Sequence, residues 1–213
     1  MLDAEDLLGR AIGLVDLGVT ERRRCLLGIV GAPATGKSTL AAWLVARLQQ
    51  TRPGEVALVG MDAFHLANAV LDRRGLTEVK GAPQTFDAQG YLALLRRLRD
   101  APDETVFAPV FHREIEESIA HEVEVSPVVR LVVTEGNYLL LDTGPWPQVT
   151  QILDQVWFLA VPEPVRVTRL VARHEAYGRT REQAEERTRG SDLRNADLVR
   201  STAGRADLVI TDW

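Results

Sequence analysis

The nine residues GAPATGKST (31–39) satisfy G-x-x-x-x-G-K-[ST], a spacing with which a chain cradles phosphate. Gly31 and Gly36 permit a tight loop through Ala32, Pro33, Ala34 and Thr35, so that successive backbone N–H groups converge on phosphate oxygens. A helix beginning at the end of this loop adds its positive pole. Lys37 is expected to reach the β and γ phosphates. Ser38, followed by Thr39, is expected to ligate Mg²⁺, which keeps most of its waters. A Gly-rich turn that binds nothing is the competing reading. The motif's place between the strand-like run CLLGIV (25–30) and a helical run weighs against it.

Two acids follow strand-like runs elsewhere. VALVG (56–60) ends in MDAFH, which carries Asp62 and His65, and VVRLVVTEG (128–136) delivers Glu135. In open α/β sheets, ligands lie beyond the carboxyl ends of the strands. Ser38, Asp62 and Glu135 are therefore expected on one edge. Two carboxylates beside one phosphate site can divide the work. Glu135 is assigned to the hydrated metal, and Asp62 to the base that takes the proton of an attacking hydroxyl. Taken singly, either acid could be an ordinary strand stop.

Arg166, Arg169 and Arg173 are three and four residues apart, so they share a helix face with Tyr177. Val167, Leu170 and Val171 form the neighbouring apolar face. A solvated charged face would look the same. Beside a phosphate loop the pattern also suits a lid, with Arg169 and Arg173 as the pair that neutralises transferring charge. Asn195 has two readings, contact with the base or ribose of a nucleotide, or a plain helix surface. His65, Lys80, Phe86, Asp87, His112 and Arg113 lie between the phosphate loop and Glu135. At least two of them are expected to touch an acceptor bearing hydroxyls and a carboxylate or phosphate. His121 and His174 lack zinc-site spacing and are expected to be structural or solvated.

These groups need elements to hold them. Leu7, Leu8, Ala11, Ile12 and Val15 predict an opening helix with Gly18 as its stop. Leu40, Trp43, Leu44 and Leu48 predict a second helix, and 87–99 a third. TVFAPVF (105–111), HEVEVSP (121–127), QVWFLAV (155–161) and ADLVI (206–210) read as strands. Pro109 places the first of these at an edge or outside the sheet. Helices are predicted over 163–177, 181–189 and 192–203, with Thr180 and Gln183 as a capping box. Apolar strands alternating with helices give a three-layer α/β fold, a parallel β-sheet with helices on both faces.

The chain has 213 residues, 46% of them hydrophobic, which suits one domain over 1–213. A net charge of -5 argues against nucleic acid or an anionic membrane as a partner. No apolar run is long enough to span a bilayer. MLDAEDLLGR lacks the basic start of a signal peptide. Cys25, the single cysteine, is expected to be a buried apolar residue, which fits a reducing, cytoplasmic setting. The residues leave the assembly undecided, a homodimer included.

After GAPATGKST come MDAFH, KGAPQTFD (80–87), APVFHRE (108–114) and VTEGNYLLL (133–141), in that order. Together they resemble the phosphoribulokinase/uridine kinase superfamily from about residue 26 to the end, above all its bacterial nucleoside/nucleotide kinase-like branch, often labelled fructose transport system kinases. KGAPQTFD and EGNYLLL are also similar to type I pantothenate kinases. The resemblance implies a P-loop NTPase fold with a helical lid at about 163–190, ATP and Mg²⁺ as cofactors, and a small hydroxylated acceptor. It implies that Asp62 is the base, that Glu135 lies near magnesium, and that RVTRLVARH carries lid arginines. Ala63 stands where many relatives have Gly or Ser, and His112 where many have Asp; both departures fall in the acceptor region.

Two other classes compete with a kinase. A nucleotide switch would explain DAQG (87–90) as D-x-x-G, but N-K-x-D is absent and DAQG falls in the helical 87–99 stretch. A regulatory protein that binds ATP without phosphotransfer is opposed by the intact set Lys37, Ser38, Asp62 and Glu135.

Overall fold

A computed structural model describes residues 3–211. The chain enters helix α1 (Ala4–Thr20) through a capping box. Asp3 accepts from the Asp6 backbone N–H, and Asp6 accepts from that of Asp3. Gly18 does not stop this helix as expected. It is buried inside it, where an added Cβ would lie 2.6 Å from the Arg130 carbonyl and 3.0 Å from that of Arg23. The glycine serves close approach of α1 to the chain before the central strands. Gly18→Ala should therefore destabilise by about 1–3 kcal/mol despite alanine's better helix propensity. Urea unfolding checks this, and a neutral or stabilising result would show that the two segments can move apart.

Strand β1 (Cys25–Val30) leads through the 31–36 loop into α2 (Lys37–Thr51), then β2 (Val56–Gly60), α3 (Asn68–Arg74) and α4 (Ala88–Asp100). Strands β3 (Val106–His112) and β4 (Glu117–Val125) precede β5 (Leu131–Gly136), α5 (Trp146–Ile152) and β6 (Gln155–Leu159). Helices α6 (Glu163–Ala176), α7 (Arg181–Arg187) and α8 (Leu193–Arg200) precede the last strand, β7 (Leu208–Ile210). The main sheet is parallel throughout, in the order β2-β5-β1-β6-β7.

CLLGIV is buried along its whole length because both faces of the sheet are covered. Cys25, Leu27 and Ile29 point to α1 and α2, meeting Leu14, Leu40 and Leu44. Leu26 and Val30 point to the other side, toward Leu92 and Leu95 of α4 and Val149 of α5. Each fully buried leucine contributes about 1.5–3 kcal/mol. Strands β3 and β4 form an antiparallel hairpin outside the main sheet, and its register shifts between Ala108 and Val110, so Pro109 sits at an irregularity where its missing N–H is tolerated. Arg24, fully buried, fastens this hairpin to the core. It donates to the carbonyls of Leu98 and Ala101 at the end of α4, of Glu104 before β3, and of Ser126 after β4. Among the described residues, no helix is long and apolar enough to cross a membrane.

Candidate active site

The register places three strand ends together. Val30 pairs with Gly136, and Gly60 pairs with Glu135, so the loop after β1, the turn after β2 and the end of β5 share one edge. Asp62 lies in a 3-10 turn, Met61–Phe64, laid against β5. Only glycine fits opposite it, since a Cβ on Gly136 would come within 2.6 Å of the Met61 Cβ.

The 31–36 loop is built for close approach. A Cβ on Gly31 would lie 2.5 Å from Thr35 Oγ1 and 3.0 Å from the Leu159 carbonyl. Gly36 has φ 97° and Ala34 φ 66°, both left-handed. For Ala34 that conformation costs about 1 kcal/mol, a strain characteristic of ligand-holding loops. No side chain caps α2, so the positive end of this 15-residue helix is left facing the loop. Ala34, Gly36, Lys37, Ser38 and Thr39 line a cleft of about 490 Å³ with Arg113, Arg169 and Arg173. Ala32 and Thr35 are buried behind the loop, while Pro33 borders the neighbouring cavity.

Glu135 is buried beneath the loop, where the Ser38 hydroxyl helps to favour its charged form, and among the described residues its Oε2 has no partner. Burial pushes its carboxyl above the usual range; the Lys37 charge opposes this and the Asp62 charge adds to it. Lys37 is buried too. Its ammonium is pulled down by burial, against the attraction of Glu135 and Asp62. Asp62 goes the other way. Burial would raise it, but His65, Lys37, Arg113 and Arg173 together hold it below the ordinary carboxylate range. The environment thus pushes the two acids apart, the arrangement by which sites separate their proton-carrying roles. The exposed uncapped helix end, the orphaned Glu135 oxygen and the adjoining Ser38 suit a triphosphate with a hard divalent cation.

Asp62 opens onto a second cavity, of about 540 Å³, that also contains His65, Lys80, Phe86 and Arg113. The His65 ring lies 4.0 Å from the Phe86 ring and 4.9 Å from that of Phe111, and its Nδ1 bonds the Asp62 carbonyl at 2.8 Å. Lys80 is already engaged, with Nζ 2.7 Å from Asn68 Oδ1, 2.8 Å from the Glu116 carbonyl and 3.1 Å from the Glu116 carboxylate. It ties its loop to the hairpin turn.

The arginine helix divides unequally. Arg169 and Arg173 face the phosphate cleft, Arg169 donating to the Thr35 carbonyl at 3.4 Å. Arg166 is buried instead. It forks onto Glu163 at 2.9 and 2.6 Å and donates to the Pro33 carbonyl at 3.3 Å, pinning the start of α6 to the loop.

Three expected contacts are placed elsewhere. His112 lies outside both cavities. Its ring bonds Glu114 at 2.8 Å and Glu122 at 2.6 Å, and those hydrogen bonds, Glu122 foremost, raise its pKa. Alternation along β3 turns His112 away from the face that Phe111 presents to His65. Asp87 caps α4, accepting from Gly90 N–H at 2.9 Å. DAQG is thus the first turn of a helix. Asn195 borders the second cavity and donates to the Gly81 carbonyl at 3.4 Å, so it does not line the phosphate cleft.

Several cavity residues escaped sequence reading. His174, expected to be structural or solvated, bonds Asp192 Oδ2 at 2.7 Å and also lines the second cavity, which its spacing did not suggest. Arg187 reaches the carbonyls of Glu78 and Lys80 at 3.0 and 2.9 Å, joining α7 to the KGAP segment. Their partners are remote in sequence, and no spacing rule connects them. The EGN tripeptide was a usable signal for Asn137, which lines the same cavity.

No protein-family model matches the chain. A Schizosaccharomyces pombe protein provisionally named a uridine kinase is 33% identical over 214 residues, 97% of this chain and 89% of its own length. The crystal structure of a Silicibacter protein provisionally named a fructose transport system kinase aligns with a TM-score of 0.81 at 40% identity, covering 92% of this chain and 98% of that one. A Bradyrhizobium pantothenate kinase is 36% identical over 135 residues, which are 62% of this chain and 42% of that enzyme.

Proposed function

The chain belongs to the phosphoribulokinase/uridine kinase superfamily of P-loop kinases, and from that premise we propose that it transfers the γ-phosphoryl group of MgATP to a hydroxyl of a small metabolite. One observation carries the reading. The phosphate cleft and the Asp62 cavity meet at Lys37, Arg113 and Arg173, which line both. A donor on one side and an acceptor on the other would exchange a phosphoryl group past three cations.

MgATP, when bound, supplies the phosphoryl group and a cation that neutralises its charge. The chain's own residues do the rest. The 31–36 loop and the N-terminus of α2 hold phosphate oxygens, and Lys37 adds a buried charge. Ser38 and Glu135 hold the metal side. Asp62 accepts the hydroxyl proton at its carboxylate. Arg169 and Arg173 offset charge as it spreads, carried by a lid of about 163–190 on a single kinase domain. The acceptor cavity, with His65, Lys80 and Phe86, admits a sugar, a nucleoside or a pantothenate-like molecule, classes to which the relatives' names also point.

The test is ADP release with MgATP across pantothenate, ribonucleosides, fructose and other sugars, and glycerate. One acceptor class should raise the rate above the acceptor-free level. If ATP binds and no acceptor changes the rate, a regulatory ATP-binding protein becomes the better reading.

A further inference from the structure

Arg113 is the member of the shared triad that neither the phosphate loop nor the lid supplies. It comes from the turn of the β3–β4 hairpin, whose base Arg24 fastens to the core. Its Nη2 donates to Asp62 Oδ2 at 2.8 Å, and its guanidinium carbon lies 5.8 Å from the Phe111 ring centroid. Among the described residues, its other guanidinium nitrogens make no hydrogen bond. The side chain is 38% exposed, so the pair with Asp62 is neither locked in the core nor strongly stabilising.

Two anions can therefore compete for one guanidinium. A carboxylate carries one negative charge. A terminal phosphate carries more, and its oxygens match the planar fork of arginine. Arg113 lines the cleft where that phosphate would lie as well as the cavity where Asp62 opens. We propose that Arg113 is a γ-phosphate sensor, paired with Asp62 in the empty protein and drawn to the terminal phosphate of a bound nucleoside triphosphate. The exchange would release the Asp62 carboxylate toward the acceptor hydroxyl only when a transferable phosphoryl group is present. This inference rests on the kinase reading above and assigns the hairpin a part in donor recognition as well as in the acceptor wall.

The experiment needs no acceptor. Titration calorimetry on the full chain compares the β,γ-imido analogue of MgATP with MgADP, for the wild type, Arg113→Met and Arg113→Lys. Arg113→Met should lose about tenfold or more in affinity for the triphosphate analogue, the worth of one charge-assisted contact, with MgADP affinity unchanged. Arg113→Lys, which keeps the charge without the fork, should fall between. Unchanged MgADP binding also shows that the variant is folded. If Arg113→Met keeps the wild-type ratio of triphosphate to diphosphate affinity, or loses both affinities equally, the contact only supports Asp62 and the inference is wrong while the kinase reading stands. If the wild type binds neither nucleotide, the kinase reading fails and this inference fails with it.

Discussion

Asp62→Asn should lower acceptor-dependent ADP formation by about a thousandfold without weakening MgATP binding, a loss typical of removing a positioned base. Asparagine keeps the shape of the side chain and an oxygen for the Arg113 contact at the former Oδ2, so packing at the turn after β2 survives. What disappears is the capacity to take a proton. Activity within tenfold of wild type would remove Asp62 from that role.

The pH profile provides a second check. Lys37, Arg113 and Arg173 help hold Asp62 below the ordinary carboxylate range, so it stays ionised through neutral pH and would be protonated only as pH falls through that lowered value. With Asp62 as base, no acid limb should appear near neutrality. Glu135 is displaced upward by burial. An acid limb above the ordinary carboxylate range that persists at saturating Mg²⁺ would therefore point to Glu135 as the base and exchange the two assignments.

What the sequence revealed and what it concealed differ for a physical reason. The conformation of the 31–36 loop was legible because it follows from glycine spacing within nine consecutive residues. The shared edge of Ser38, Asp62 and Glu135 was legible because strands in a parallel sheet point the same way. The fate of side chains that reach across the fold was hidden. Arg166, Arg169 and Arg173 share a helix face on paper, but Arg166 meets Glu163 and the Pro33 carbonyl before it can reach the cleft. His112 found two glutamates on its own hairpin. Gly18 looked like a helix stop because the backbone it must admit, at Arg130, lies more than a hundred residues away in sequence. Helices α3 and α5, of seven residues each, were not anticipated because they are too short to display an apolar period.

Glu135→Gln should abolish the magnesium dependence of nucleotide binding and, in the same protein, raise the stability of the metal-free chain. Both effects come from one feature, a buried carboxylate with an oxygen that nothing among the described residues satisfies. Its raised folded-state pKa already includes the attraction of Lys37, so folding favours the neutral form, which glutamine mimics. The sign follows from linkage. Glu135 does not oppose folding below the pKa of an unfolded glutamate, about 4.3, and its penalty grows as pH rises through the folded value. In EDTA at neutral pH the variant should therefore be more stable than the wild type, a gain that vanishes in acid. Urea unfolding at two pH values reads the stability, and ATP titration with and without Mg²⁺ reads the function. A variant that is less stable and still responds to magnesium would show Glu135 to be a structural acid, and would leave Ser38 without its partner at the metal. The paired outcome would instead identify stability given up to keep a cation site ready, the trade expected where a charge is buried for function and not for folding.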